Sequence, residues 1–291
     1  MNELSQVPEF EKPPQHVVSL VPSTTESLFA LGFGSSVAGI TDYCIYPADK
    51  VMAVPKVGGP KNPDIYQIVE LTPELVFANQ EEVSHKAVTE LTDKGVRVWV
   101  PFPKTVDQAL DGLRGLLAIY HTDRPAMQIE TLRMAVDYAR VAAGNQPRKR
   151  YFCPIWQGET DGKPWWMTFN QDTYAHDLLS VLGGENIFAG RERRYPLHAD
   201  LGQGEAEENE DRDTRYPRVT TEEILAADPE VIILPNEPFN FNAEQKGTIL
   251  EKLGETTAAK NKRVVFVDGS LITWHGVRMG KALTELPELF I

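Results

Sequence analysis

The side chains with the widest chemical reach in this chain are aromatic rings and imidazoles. Trp165, Trp166 and Phe169 lie close together near Gly162 and Pro164, Trp274 stands beside His275, Tyr43 follows Thr41-Asp42, and Tyr216 follows Arg215. Rings with a few polar neighbours suit the wall of a pocket for a large, flat ligand. For each of them ordinary packing is the plainer alternative, a core tryptophan pair at Trp165-Trp166 included. The His275 imidazole can ligate a metal or act as a hydrogen-bonding pocket residue.

Other chemistries find less support. Of the six histidines, His16, His85, His121, His176, His198 and His275, no two are four residues apart, and there is no HExxH. A metal site would need about four ligands converging from remote positions. His176-Asp177 falls in a helical stretch, where capping and packing account for it. The two cysteines, Cys44 and Cys153, form no CxxC and are far apart, so free thiols are expected rather than a disulfide, as in a reducing compartment. Ser23-Thr24-Thr25-Glu26 is not a nucleophile elbow, and Gly32 and Gly34 lie at a helix end rather than in a dinucleotide fingerprint. No catalytic residue and no metal centre is assigned. Arg193, Arg194 and Arg215 can either bind anionic groups or balance the acidic run Gln203 to Asp213. That run reads as a solvated loop, and its spacing is not that of a calcium loop.

These residues need elements to hold them. Val17, Val18, Leu20 and Val21 form a buried strand, and Pro22 stops it. Ser23 or Thr24 caps the helix that follows, with Glu26 in its first turn, and Gly32 and Gly34 end it. Val37 to Ile40 is the next strand. A strand, helix, strand order is a parallel crossover, whose ligands sit beyond the carboxyl ends of the strands, at Pro22-Ser23-Thr24 and Thr41-Asp42-Tyr43. Further strands are expected at Leu75 to Ala78, Val96 to Val100, Tyr151 to Ile155, Val231 to Leu234 and Val264 to Val267, with helices between, and residues 165–169 as an aromatic loop. Ile129, Leu132, Val136, Ala139 and Ala143 alternate spacings of three and four, the mark of a one-faced helix. The order predicts two α/β, Rossmann-like lobes with mainly parallel central sheets: a flexible or draped tail at 1–15, a first lobe at 16–122, a connecting helix at 123–144 and a second lobe at 149–291. TPELVFANQEE and DPEVIILPNEP share one grammar, as expected of a pseudo-duplicated chain.

Composition narrows the partners. The chain has 291 residues, 42% of them hydrophobic and 24% charged, with a net charge of −13. So negative a chain is poorly suited to nucleic acid or anionic membrane surfaces. No apolar run approaches the ~18 residues of a membrane span. The opening MNELSQVPEFEKPPQ has neither the basic and apolar regions of a secretory leader nor a lipobox cysteine. A cytoplasmic, monomeric protein is expected, or an extracytoplasmic one if a leader has been removed.

Five stretches carry a resemblance: SLVPSTTESLFALG, VAGITDYCIYP, VGGPKNPDIYQIVELTPELVFAN, YAHDLLSVLGGENIF and RYPRVTTEEILAADPEVIIL. Together they resemble the helical-backbone substrate-binding proteins of ABC importers, which include cobalamin and iron-siderophore receptors. The nearest subgroup is cobalamin-binding-like and lacks a signal peptide. The resemblance spans about Val17 to Leu289. It implies a ligand cleft between two lobes, no enzymatic activity, and a corrinoid or other metal chelate as the bound small molecule, with no intrinsic cofactor. Ser23 and Thr24 fall on the first-lobe wall, and Tyr43 matches a ring that faces the corrinoid. Tyr216, Pro60 and Asn79 occupy positions where the cobalamin receptor carries tryptophans, and Trp165, Trp166, Phe169 and Trp274 are the compensating aromatics. His275 is read as a hydrogen-bonding cleft residue, with ligation of a corrinoid cobalt as the lesser alternative its imidazole allows. An ABC permease is the implied partner, docked through one glutamate on each lobe: Glu222 on the second, and on the first Glu82, next to Glu81, because His85 occupies the matching position. Two other functions suit the same scaffold: a cytosolic enzyme or chaperone of corrinoid metabolism, and a divalent-metal receptor.

Overall fold

Val17–Ser19 forms β1 because its residues are fully buried and flanked by apolar neighbours. The chain then turns at once into α1 (Pro22–Ala30) and returns as β2 (Val37–Ile40). The computed structural model describes residues 3–208 and 212–291. Met1 and Asn2 of the tail, and residues 209–211 of the acidic run, lie outside the described residues. After β2 come α2 (Ala48–Val51), α3 (Ile65–Glu70), β3 (Leu75–Phe77), α4 (His85–Asp93), β4 (Val98–Trp99) and α5 (Val106–Ile119). The four strands form one parallel sheet in the order β2-β1-β3-β4. Val18, Leu20, Val21, Val76, Leu91 and Val98 make its core. Asp64, Ser84 and Thr105 each accept a backbone N–H at a helix start, as expected of such N-caps.

The start of α1 differs from expectation. Val21 is the N-cap and no side chain caps it; Pro22 is the first helical residue, and Ser23 and Thr24 lie within the first turn. Proline's fixed φ and missing N–H suit that position, so the helix begins at Pro22 rather than after it. Glu26 consequently lies beyond the first turn, and its partner is a side chain rather than the helix dipole.

The tail is draped. Leu4 accepts the Val100 N–H at 2.7 Å, Ser5 accepts the Trp99 indole N–H at 3.3 Å, and Glu9 accepts Arg97 at 2.9 Å. An edge strand offers unpaired backbone groups, and here the tail takes them up along β4.

The helix α6 (Ala126–Gly144) carries the chain out of this sheet. Contacts divide the molecule into two compact units, Met1–Ala135 with Trp274–Gly280, and Val136–Thr273 with Lys281–Ile291. The second contains β5 (Lys149–Phe152), β6 (Trp156–Thr160), β7 (Lys163–Met167), α7 (Tyr174–Val181), β8 (Gly184–Asn186), α8 (Leu197–Asp200), β9 (Arg218–Thr220) and α9 (Thr221–Ala227). These are followed by β10 (Val231–Pro235), α10 (Ala243–Leu253), α11 (Thr257–Lys260), β11 (Val264–Val267) and α12 (Ser270–Thr273). A last helix, α13 (Met279–Glu285), begins in the first unit and ends in the second. The central sheet of the second unit is again parallel, ordered β11-β10-β5-β8. The α/β architecture with parallel central sheets is thus as the sequence predicts.

Two features are not. Residues 165–169 are no loop: Lys163–Met167 is the middle strand of an antiparallel sheet, β6-β7-β9. Its hairpin turns at Asp161-Gly162, with φ of 53° and 73°. Two successive positive φ values are what an Asp-Gly hairpin turn supplies. The segment Trp274–Gly280, expected in the second lobe, belongs to the first unit because Arg278 and Val277 bond to α1. Among the described residues, no helix is long and apolar enough to cross a membrane.

Candidate ligand-binding site

The strands of a parallel sheet all end on one edge, so the loops after β1, β2, β3 and β4 share it. In the first unit that edge carries Thr24, Tyr43, Tyr46, Asn79 and Pro101, and the segment from Trp274 joins them. Arg278 clasps Glu26 with two hydrogen bonds, Nε to Oε2 at 2.7 Å and Nη2 to Oε1 at 2.8 Å. Its guanidinium lies 4.2 Å from the Tyr46 ring centre and 4.7 Å from that of Trp274. A guanidinium that meets both a carboxylate and aromatic faces is strongly held. Next to it, the Val277 N–H donates to Ser27 Oγ, which itself donates to the Ser23 carbonyl at 2.8 Å. Gly276 has φ of +89°, and a Cβ there would meet Ser27 Oγ at 2.4 Å, so only glycine lets the segment approach α1 so closely.

His275 is held by the loop after β3. Asn79 Oδ1 accepts the Glu81 N–H at 2.6 Å, which turns its amide nitrogen toward His275 Nε2 at 2.9 Å. Nε2 therefore accepts, and the ring proton sits on Nδ1. Burial pushes the imidazole pKa down to about 4, so the ring is neutral at pH 7. Ligation of a metal through Nε2 would require breaking the bond to Asn79. A cavity of about 330 Å³ opens here, lined by Thr24, Ser27, His275, Trp99, Phe102 and Leu113 among others.

The sequence-assigned residues fall into groups. Tyr43 is 64% exposed, with its ring 3.5 Å from the Cβ position of Gly59, and Pro60 is half-buried beside it in sequence. Trp274 is half-buried. Ser23 and Asn79 are buried, so neither offers an open face; Asn79 positions His275 instead. In the second unit Tyr216 is half-buried and carries Arg215 over its ring at 5.1 Å. Trp165 is half-buried, its indole N–H donating to Thr160 Oγ1. Trp166 and Phe169 are each 1% exposed, and Trp166 packs in the core with Phe152, Phe188 and Val219. They are core residues rather than a pocket wall. Successive strand residues face opposite sides, so the strand that leaves Trp165 outward must turn Trp166 inward. Glu222 is exposed in the first turn of α9, and Glu82 is half-buried. Tyr46, Arg278 and Glu26 escaped the sequence assignment, because nothing local marks a contact across 252 positions.

The second unit has its own cavity of about 440 Å³ at the carboxyl ends of β10 and β11, lined by Asn236, Phe241, Phe266 and Asp268 among others. Both thiols are buried and free. Burial raises the pKa of Cys44 and Cys153, so neither is a ready nucleophile or ligand. Among the described residues no three His, Cys, Asp or Glu side chains gather to hold a metal ion.

Comparison with known proteins agrees with this architecture. An uncharacterised ABC transporter substrate-binding lipoprotein of Bacillus subtilis is 24% identical over 286 residues, covering 96% of this chain and 80% of that protein. A vitamin B12-binding protein of Salmonella paratyphi A is 27% identical over 220 residues, 75% of this chain and 71% of that one. Among solved structures, the periplasmic vitamin B12 binding protein of Vibrio cholerae superposes with a TM-score of 0.74 at 21% identity, covering 95% of this chain and 96% of that one. A periplasmic heme-binding protein of Roseiflexus, in apo form, gives 0.73 at 21% identity, covering 94% and 97%. Residues 17–271 match the family described as periplasmic binding protein, and with most of its length so matched, this chain belongs to that family.

Proposed function

We propose that the protein is the substrate-binding component of an ABC importer and that it binds, without turning over, a corrinoid, heme or related metal chelate. The family match over residues 17–271 carries this reading, with relatives named for vitamin B12 binding along three-quarters of the chain. The rings of Tyr43, Tyr46 and Trp274 at the strand ends of the first unit support it, since flat chelates are held by aromatic faces and a few polar groups. The two parts of the ligand question, corrinoid or porphyrin, are separated by titration. Purified protein would be titrated with cyanocobalamin, hemin and a ferric siderophore, following absorbance and tryptophan fluorescence. Saturable micromolar or tighter binding of one of them is expected; no binding of any sinks the proposal.

An extracytoplasmic location goes with this function, because the relatives are named as a lipoprotein and as periplasmic proteins. Fractionation of the native protein with the soluble cytoplasm would instead favour the corrinoid-metabolism alternative. For the permease, exposed Glu222 is the best-placed docking charge, with Glu82 as its first-unit counterpart. Reversing Glu222 to Lys should impair uptake while leaving ligand affinity unchanged; a variant with normal uptake removes Glu222 from the docking surface.

A further inference from the structure

The second unit holds two guanidinium groups that its own carboxylates leave incompletely paired. Arg191 is fully engaged, with Nη2 3.2 Å from Asp200 Oδ1 and Nε 3.2 Å from Glu223 Oε1. Arg215 is engaged as well, with Nε and Nη2 donating to the two oxygens of Asp213 at 2.9 and 2.7 Å. Arg193 and Arg218 remain. Among the described residues, Arg218 meets a carboxylate at Asp200 Oδ2, 3.9 Å from Nη1, and that oxygen already accepts the Arg218 backbone N–H at 2.8 Å. Arg193 makes no ion pair among the described residues. The Nε–H groups of both arginines are buried and have no acceptor among the described residues.

Buried charged donors without acceptors are rare in folded proteins, because each has surrendered its water for nothing. The two groups also share a neighbourhood. Burial first, and then the positive charge of Arg193, push the Arg218 guanidinium below its usual range. Asp200 and the Tyr195 phenol oppose that. Aromatic rings frame the pair: Arg193 lies 4.2 Å from the Tyr195 ring centre and Arg218 lies 6.0 Å from that of Trp165. The net charge of −13 repels anions in general, so a positive pair of this kind acts locally.

We propose that Arg193 and Arg218 form an oxyanion-binding site that takes a carboxylate or phosphate group, beside the rings of Tyr195 and Trp165. A planar guanidinium fork matches either group through two parallel hydrogen bonds, and an anion supplies the acceptors that both Nε–H groups lack. The residues come from separate elements, Arg193 from the loop after β8 and Arg218 from the start of β9, so the fold assembles the pair.

The full chain would be tested with inorganic phosphate and with citrate, each against sodium chloride at equal ionic strength, following thermal unfolding and Trp165-dependent fluorescence. Either oxyanion should raise Tm saturably; a response to citrate alone identifies a carboxylate site, and to phosphate alone a phosphate site. Arg193→Gln and Arg218→Gln should each weaken that response at least tenfold, and the Arg140→Gln control on α6 should not change it. Should a Gln variant fail to fold, Arg193→Lys and Arg218→Lys carry the test, keeping the charge but losing the fork and much of the affinity. An equal response to chloride and the oxyanions overturns the proposal, as does a response that the Arg193 and Arg218 variants retain. Because the probes are simple anions, the site can stand if no chelate binds, and can fall if one does.

Discussion

At the scale of single residues, the Arg278–Glu26 pair decides how the C-terminal segment meets α1. The Arg278 side chain is 4% exposed and that of Glu26 is 19% exposed, so neither charge has much water to return to. Glu26→Gln should therefore destabilise the protein by about 3 kcal/mol, read from the urea midpoint. Replacing both partners with Leu and Met should restore most of that loss, because an apolar pair leaves no buried charge behind. His275 makes a prediction about acid. Its folded pKa of about 4 lies below the ordinary 6.5, so the unfolded chain binds the proton more readily between those values. The contribution of the neutral ring is complete above pH 6.5 and is lost as pH falls toward 4, on the order of 1–3 kcal/mol in all. His275→Asn should flatten the Tm-versus-pH curve in that window; a variant as acid-sensitive as the wild type would show that other groups carry the slope.

At the scale of elements, β7 separates two tryptophans that are neighbours in sequence. Trp166 points into a core of aromatic and branched residues, and Trp165 points to the other face. Trp166→Ala should cost about 3–5 kcal/mol and Trp165→Ala about 1, compared by chemical denaturation. Equal costs would show that the two share one environment. The hairpin holding them depends on Gly162 at φ of +73°, and Gly162→Ala should cost about 1 kcal/mol without altering the rest of the fold. Asp-Gly between two strand-like runs is a local signal for such a hairpin.

At the scale of the whole chain, three covalent crossings link the units, at α6, before Trp274 and after Gly280. The N-terminal tail adds a non-covalent strap along β4 of the first unit. Removing residues 1–12 should lower stability by about 1–2 kcal/mol and shift tryptophan emission to the red, since Trp99 would lose its bond to Ser5 and its cover. An unchanged melting curve would show that the strap is loose in solution.

The regular elements were legible from sequence because their causes are local. A short β-branched run, a capping Asp, Ser or Thr and a terminating Gly act within a few residues, as at Asp64, Ser84, Thr105 and Thr220. Repeated strand and helix units then imply parallel sheets, and both central sheets are parallel. Which of the assigned side chains lie open at the candidate site was legible only in part. Tyr43 and Trp274 present rings in the first unit, while Trp166 and Phe169 are core, and Ser23 and Asn79 are buried. The pairing of Asn79 with His275 spans 196 positions, and that of Glu26 with Arg278 spans 252. Such contacts have no sequence period or motif. They arise when buried polar and charged groups must find partners, and only the tertiary structure decides which partner each one finds.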